Sequence, residues 1–345
     1  MKRKKLTASM IALVMSVSLP MTTYAANWYL EDGSVTVNAD NSGQTVTQGS
    51  TSTPDEAPVI TQRGSSAETS NTITINASEN ATANVTISDV NINTSDAAVF
   101  TKGKGNVNIE LDGTNTLKSG REHAGLEKSG DGKLTITDEN GNGKLIATGG
   151  QYGAGIGGGF YEGGKNITIA GGKVTANGGD YGAGIGGGQE GDGSNITITD
   201  GEVIAAGGTN GAGIGGGGGI SGKGEKISIS GDAKLKVQGG SGDYWDGAGA
   251  GIGNGGSHNG DYLSGTIPVN GAETEPDTSN LTTGKIEYYA PGADMTKDES
   301  TNTILGSGQP EPASPGETGA PVEYRMQASA SEPVQGNGKS TGYKA

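Results

Sequence analysis

The chain has 345 residues, no cysteine and only two histidines, which excludes disulfides, thiol catalysis and a histidine-rich metal centre. Its formal net charge is −15, and a chain this acidic repels nucleic acid and anionic lipid, so nucleic acid is not expected as a partner. Glycine accounts for 67 residues without a collagen-like period.

The first 25 residues have the pattern of an export signal. Four cations occupy positions 2–5, an apolar run spans positions 11–19, and Thr23 and Ala25 are small residues suited to a cleavage site. We expect Sec-dependent export with cleavage after Ala25. Because the removed residues carry four cations and no anions, the secreted or cell-surface chain would have a charge of −19. The apolar run is short for a membrane span, so no membrane insertion is expected after cleavage.

Self-similar segments recur along the middle of the chain. The sequence GAGIG appears at spacings of 29, 29 and 38 residues, beginning at Gly153, Gly182, Gly211 and Gly249. Tetrapeptides that alternate polar and apolar residues lie between these copies. One set begins at Asn84, Asn106, Lys133, Asn166, Asn195 and Lys226, and a second begins at Lys144, Lys173, Glu202 and Lys234. This pattern predicts three short strands in each repeat, separated by glycine-rich corners.

A strand of four residues is stable only when it pairs with its counterpart in the next repeat. Stacked repeats of this kind predict an all-β fold, a right-handed parallel β-helix with three sheets and six or seven coils, over residues 71–260. The residues predicted to face inward are Ile75, Val85, Ile87, Val107, Ile109, Leu134, Ile136, Ile156, Ile167, Ile169, Val174, Ile185, Ile196, Ile198, Val203, Ile214, Ile227, Ile229, Val237 and Ile252.

The two ends of such a coil need covering, because each end exposes unpaired strand edges. Apolar pieces at 26–70 predict N-terminal cap strands, and those at 261–295 predict a C-terminal cap. Residues 296–345 are polar and rich in proline, which is typical of a disordered tail or linker.

Two motifs that resemble ligand sites have structural explanations. The glycines from Gly153 imitate a dinucleotide-binding loop, but that loop opens a helix and no helix is predicted here. Asp138, Asn140 and Asn142 match the first half of an EF-hand loop, yet the final glutamate position holds Gly149. We therefore predict a tight turn and no cofactor, with a weak Ca²⁺ site as the alternative.

Tyr152 and Tyr181 lie 29 residues apart in the same phase of the repeat and should stack on adjacent coils. Exposed aromatic rings can pack against the apolar face of a sugar. Tyr161 and Trp245 are predicted in nearby corners, where Asp180 and Glu162 could accept hydrogen bonds from hydroxyl groups. The alternative is an aromatic ladder that only fills the corners. Asn84, Asn106, Asn166 and Asn195 are predicted to form a structural ladder.

Several longer segments match a family in order along the chain. They are Trp28-Tyr29-x-Glu31-Asp32-Gly33, residues 107–117 and 123–128, residues 133–141, and the ATGG-YGAGIGGG pattern at 147–159. In these segments the chain resembles secreted carbohydrate-binding-domain or adhesin-like β-helix proteins of Gram-positive anaerobes. The resemblance implies a polysaccharide binder at or beyond the cell surface, with no ligand residues to carry over.

Three functions follow as hypotheses from these patterns. The first is a monomeric, extracellular, non-catalytic module that binds polysaccharide or a host glycan. The second is a polysaccharide lyase or glycosidase, which would need paired carboxylates in a groove. The third is a structural surface spacer. Because the exported chain is so acidic, binding of a uronic-acid polymer is expected to require Ca²⁺.

Overall fold

A computed structural model of the chain describes residues 26–64, 66–220, 222–259 and 267–308. The predicted signal peptide and residues 309–345 of the predicted tail lie outside the described residues. Among the residues that are described, no helix has the length and apolarity that a membrane span requires.

Short strands account for nearly all the regular structure. Before the repeats lie β1 (Asn27–Tyr29), a 3₁₀ turn (Leu30–Asp32), β2 (Val35–Asp40), β3 (Gly43–Gln48), β4 (Thr51–Pro54) and β5 (Val59–Thr61). The repeats contain β6 (Ile73–Ala77), β7 (Thr82–Ser88), β8 (Asn91–Asn93), β9 (Val99–Gly103), β10 (Asn106–Asp112), β11 (Thr114–Lys118), β12 (Leu126–Lys128), β13 (Leu134–Thr137), β14 (Lys144–Thr148), β15 (Ile156–Gly157), β16 (Gly164–Asn177), β17 (Ile185–Gly186), β18 (Gly193–Ala206), β19 (Ile214–Gly215), β20 (Gly224–Ile229), β21 (Lys234–Gln238) and β22 (Ile252–Gly253). The last strands are β23 (Ser257–Asn259), β24 (Ile267–Val269), β25 (Lys285–Tyr289) and β26 (Asn302–Leu305).

Each strand of the repeats pairs in parallel with its counterpart one coil away. The first stack contains β1, β5, β7, β10, β13, β20 and the first halves of β16 and β18. The second stack contains β8, β11, β14, β21, β25 and the second halves of β16 and β18. The third stack contains β2, β6, β9, β12, β15, β17, β19 and β22. The molecule is therefore a parallel β-solenoid of about seven turns, which confirms the predicted fold class.

The first two stacks join into one 14-stranded sheet, while the third stack belongs to a separate 10-stranded sheet. They join because β16 and β18 each run for 14 residues through the corner between the two faces. The register of this pair shifts after Ile169 and is restored at Lys173, which marks a β-bulge at the corner.

The interior consists of apolar side chains stacked from coil to coil. All twenty residues predicted to face inward are less than 5% exposed. Ile156, Ile185, Ile214 and Ile252 are successive register partners in the third stack. Full burial of each such side chain contributes roughly 1.5–3 kcal/mol. Alternation within the strands thus sets which residues are inside, and the repeat length sets which residues meet.

The ends extend the solenoid further than we predicted. In the predicted N-terminal cap, β1, β2 and β5 pair in parallel with strands of the coil, and only β3 and β4 add antiparallel edges. In the predicted C-terminal cap, β25 continues the second stack.

The predicted start of the disordered tail at residue 296 is wrong for β26, which pairs antiparallel with β25. Ile304 of β26 packs against the core, so burial and the open strand edge of β25 both favour order there.

Candidate functional site

Four aromatic rings lie in series at the surface of the coils that carry the first two GAGIG copies. In order they are Tyr161, Phe160, Tyr152 and Tyr181, and the distances between successive ring centroids are 3.9, 4.8 and 5.8 Å. Tyr161 is exposed and the other three rings are half-buried. We call this set the aromatic row. It offers a connected strip of ring surface to solvent.

The repeat itself places the two tyrosines that were predicted to stack. Tyr152 and Tyr181 each immediately precede a GAGIG segment, and their backbone amides donate to Arg121 O at 2.9 Å and Gln151 O at 3.1 Å. The two rings are tilted by 38° and their centroids lie 5.8 Å apart, a little more than the expected coil spacing of ~4.8 Å. The predicted stacking on adjacent coils is therefore confirmed, with tilted rings.

The other two rings come from the loop between β15 and β16. The Phe160 amide donates to Glu122 O at 2.7 Å, and the Glu162 amide donates to Gly159 O at 3.0 Å, which closes a tight turn. Tyr161 has a φ of 59°, the left-handed conformation. For a residue with a β-carbon this conformation costs about 1–2 kcal/mol. Glu190, the equivalent residue of the next coil, has a φ of 58°, so this conformation belongs to the repeated turn and Tyr161 adds an exposed aromatic ring to it.

A line of polar side chains runs beside the rings. The Arg121 guanidinium lies 4.8 Å from the centroid of the Tyr152 ring, and its Nη2 donates to Tyr152 Oη at 2.6 Å. Arg121 Nε donates to Gln151 Oε1 at 2.9 Å, and Gln151 Nε2 donates to Asp180 Oδ2 at 3.3 Å. These groups can form hydrogen bonds to a ligand that covers the rings.

A buried carboxylate anchors the turn next to the aromatic row. Glu127 Oε2 accepts a hydrogen bond from the Ala124 amide at 3.0 Å and lies 2.8 Å from His123 Nδ1. Burial raises the pKa of the Glu127 carboxyl; the hydrogen bond from His123 opposes this effect, and the Glu162 carboxylate adds to it. A β-carbon at Gly159 would lie 3.1 Å from Glu127 Oε2, so the loop that carries Phe160 packs on this carboxylate.

The predicted site residues do not all meet. Tyr152, Tyr161 and Tyr181 share the aromatic row, and Asp180 joins its polar line. The Trp245 ring instead packs edge-on against Tyr244 at 4.8 Å. Trp245 is separated from Asp180 by the coil that contains Asn210. The Asn210 amide donates to Asp180 O on one side, and its side chain donates to Asp246 O, next to Trp245, on the other.

Sequence reasoning missed Phe160 and Arg121. Phe160 aligns with Gln189 in the next repeat, so comparison of the repeats does not indicate a recurring aromatic residue at this position. Arg121 could have been predicted to lie beside the site, because it occupies the same position in its repeat as Gln151 and Asp180 occupy in theirs.

The EF-hand-like segment forms a compact bend. Asp138 Oδ1 accepts hydrogen bonds from the amides of Asn142 at 3.2 Å and Gly143 at 3.0 Å. Within the described ranges, no group of three or more histidine, aspartate or glutamate side chains is placed to hold a metal ion. The contacts at Asp138 are those of a turn.

Comparison with family models, curated proteins and solved structures finds no match for this chain. The resemblance to adhesin-like β-helix proteins accordingly stays a prediction. The geometry of the aromatic row is what supports a function.

Proposed function

We propose that this protein is an extracellular, non-catalytic carbohydrate-binding or adhesin-like module whose ligand surface is the aromatic row. The observation that carries the proposal is the series of four connected rings, Tyr161, Phe160, Tyr152 and Tyr181, at the surface. Sugar rings have an apolar face that packs on aromatic rings and hydroxyl groups that bind polar side chains. Arg121, Gln151 and Asp180 supply such polar groups.

The physical setting of the row supports a binding role over simple corner filling. Tyr161 is 60% exposed although its ring contacts Phe160, so it covers little of the interior. A connected aromatic surface in a chain with only 4% aromatic residues is typical of an interaction site.

The test is retention of the purified protein on insoluble neutral polysaccharides, compared with the double variant Tyr152→Ala and Tyr181→Ala. If each ring contributes ~0.5–1.5 kcal/mol, removing both should weaken binding by about 5-fold to 150-fold. Binding of a neutral glycan should be unchanged by a chelator, because no metal ion takes part.

The matched control is Tyr29→Ala. Tyr29 also has an arginine over its ring, Arg63 at 4.1 Å, but it lies at the N-terminal end of the solenoid outside the row. Equal retention of wild type and a folded double variant would remove the aromatic row as the site. If wild type binds no glycan, the structural spacer becomes the better hypothesis.

A glycosidase remains the second candidate because Glu127, a carboxyl with a raised pKa, lies near Glu162 beside the row. A raised pKa suits a general acid in glycoside hydrolysis. Glu127 is only 6% exposed and accepts hydrogen bonds from the turn, which favours an anchoring role. Release of reducing ends from any bound glycan, abolished by Glu127→Gln, would support the enzyme instead.

A further inference from the structure

A shallow groove of about 460 Å³ lies on the outer face of the first stack. It crosses four consecutive coils, those of β10, β13, β16 and β18, and is therefore roughly 15 Å long at the spacing of a parallel sheet. Its lining includes two lysines, Lys104 and Lys133, one carboxylate, Asp131, and the polar side chains of Asn166, Thr168, Asn195 and Thr197. We call it the lysine groove.

Three lysines and two carboxylates lie along one edge of the lysine groove, where Lys165 adjoins the lining through its ion pair with Asp131. Lys165 Nζ lies 2.7 Å from Asp131 Oδ1, and Lys104 Nζ lies 3.8 Å from Glu79 Oε2. Lys133 is exposed and lies within 4 Å of no carboxylate among the described residues. A net positive edge on a chain with a charge of −15 runs against the overall electrostatics of the molecule.

The floor of the groove is a regular array of amide and hydroxyl groups. Asn195 Nδ2 donates to Asn166 Oδ1 at 2.6 Å, and Asn166 Nδ2 donates to Asp131 O at 2.8 Å. Thr168 and Thr197 are register partners and both are half-exposed.

The predicted asparagine ladder is thus confirmed between Asn166 and Asn195. It is wrong for the earlier coils, because Asn84 pairs with Asn108 and not with Asn106. The two aligned coils are two of the four that the groove crosses.

We infer that the lysine groove binds an acidic polysaccharide through its lysines, so that no bridging Ca²⁺ is needed, in contrast to the expectation from the net charge of the whole chain. Carboxylate or sulfate groups would pair with Lys104, Lys133 and Lys165, and sugar hydroxyls would meet the asparagine and threonine array. Ammonium groups form charge-assisted hydrogen bonds with such anions. This site does not depend on the aromatic row, which is built from the turns before GAGIG and the β15–β16 loop.

The chemistry of the groove favours a sugar polymer over nucleic acid. No aromatic side chain is among the residues that line it, whereas single-stranded nucleic acid binds by stacking its bases on aromatic rings. A glycan with spaced charges and many hydroxyls matches both the lysine edge and the polar floor.

The experiment measures binding of an oligogalacturonate and, separately, of a sulfated oligosaccharide by titration calorimetry in excess chelator. The triple variant Lys104→Gln, Lys133→Gln and Lys165→Gln should weaken binding at least tenfold. Asp131→Asn removes the carboxylate that pairs with Lys165, so it should tighten binding several-fold at low salt. A gain of affinity is not an outcome that misfolding would produce.

The matched control is Lys118→Gln, Lys144→Gln and Lys173→Gln, which removes three exposed lysines from the second stack with the same change in charge. It should change affinity by less than twofold. The inference is overturned if wild type binds neither glycan in excess chelator, if both triple variants lose affinity equally, or if an oligonucleotide of matched charge binds as tightly. The variant Tyr152→Ala with Tyr181→Ala should bind the acidic glycans normally, so failure of either proposal leaves the other testable.

Discussion

Lys128 is a cation inside a corner of the solenoid and is only 4% exposed. It lies on β12, in register with the buried Thr101 of β9, and its Nζ donates to Gly130 O at 3.0 Å. Burial and the nearby Lys165 lower the pKa of Lys128 to about 8, while Asp131 has the opposite effect. The charged form of this side chain is therefore a cost to the folded protein at neutral pH.

Replacing Lys128 by methionine should stabilise the protein by about 1–3 kcal/mol at pH 7, because the apolar stem is kept and the buried charge is removed. Between the folded pKa of about 8 and the ordinary value of 10.5, the unfolded chain binds more protons than the folded one. The stability of wild type should then rise with pH and the advantage of the variant should shrink. Urea unfolding of both proteins at pH 7 and pH 10 measures this.

Lys133→Met, at an exposed neighbouring position, is the control and should show no comparable change with pH. A Lys128→Met variant that is less stable than wild type at pH 7 would contradict the account of a buried charge.

At the scale of the element, the two-residue strands of the third stack depend on backbone contact between coils. Gly186 of β17 has a φ of +138°, and a β-carbon there would lie 2.0 Å from Gly215 O of β19. Gly157 has the same environment one coil earlier, 1.9 Å from Gly186 O. The repeated glycines are therefore required because each coil sits directly on the carbonyl groups of the next.

Gly186→Ala should destabilise the protein by about 3 kcal/mol or more, because it combines an unfavourable φ with a collision against the backbone. Gly33 is the matched position, since its φ is +126° but a β-carbon there meets nothing within 4 Å. Gly33→Ala should cost only the strain of the dihedral angle, about 1–3 kcal/mol, and clearly less than Gly186→Ala. Chemical denaturation of the two variants separates the contact from the dihedral angle, and equal losses would show that the contact between coils is unimportant.

At the scale of the whole molecule, the solenoid is a chain of nearest-neighbour contacts. Gly164 and Gly193 are register partners in the first stack, so residues 165–193 amount to one complete coil. Removing a complete coil joins two equivalent points and leaves the inward pattern and the pairing of the other coils intact. Removing part of a coil moves polar residues to the inner face.

Deleting residues 165–193 should leave a folded, shorter protein with a β-rich circular dichroism spectrum and a cooperative unfolding transition. Deleting residues 165–179, about half of the same coil, should give a poorly folded or aggregated product. If both deletions fold equally well, or both fail equally, the coil is not an independent unit of the structure.

Much of this architecture could be predicted because the sequence has two periods, a two-residue alternation and a 29-residue repeat. Alternation within each tetrapeptide indicates which side chains are buried, and Ile169 and Ile198 are buried as expected. The 29-residue repeat indicates which residues become register partners, as Ile185 and Ile214 do. The prediction of disorder failed at β26 (Asn302–Leu305), where neither period is present. This strand is ordered because it pairs with the open edge of β25.

Periodicity alone predicts the solenoid, its core and the stacking of Tyr152 on Tyr181, because it sets the facing of the side chains and the spacing of the coils. The full composition of the two candidate surfaces depends on the three-dimensional fold. The aromatic row needs Phe160 between Tyr161 and Tyr152, a position that depends on the path of one loop, and the lysine groove needs Lys104, Lys133 and Lys165 from three different coils. Such groups meet through loop geometry and register offsets, which a linear pattern of polar and apolar residues does not encode.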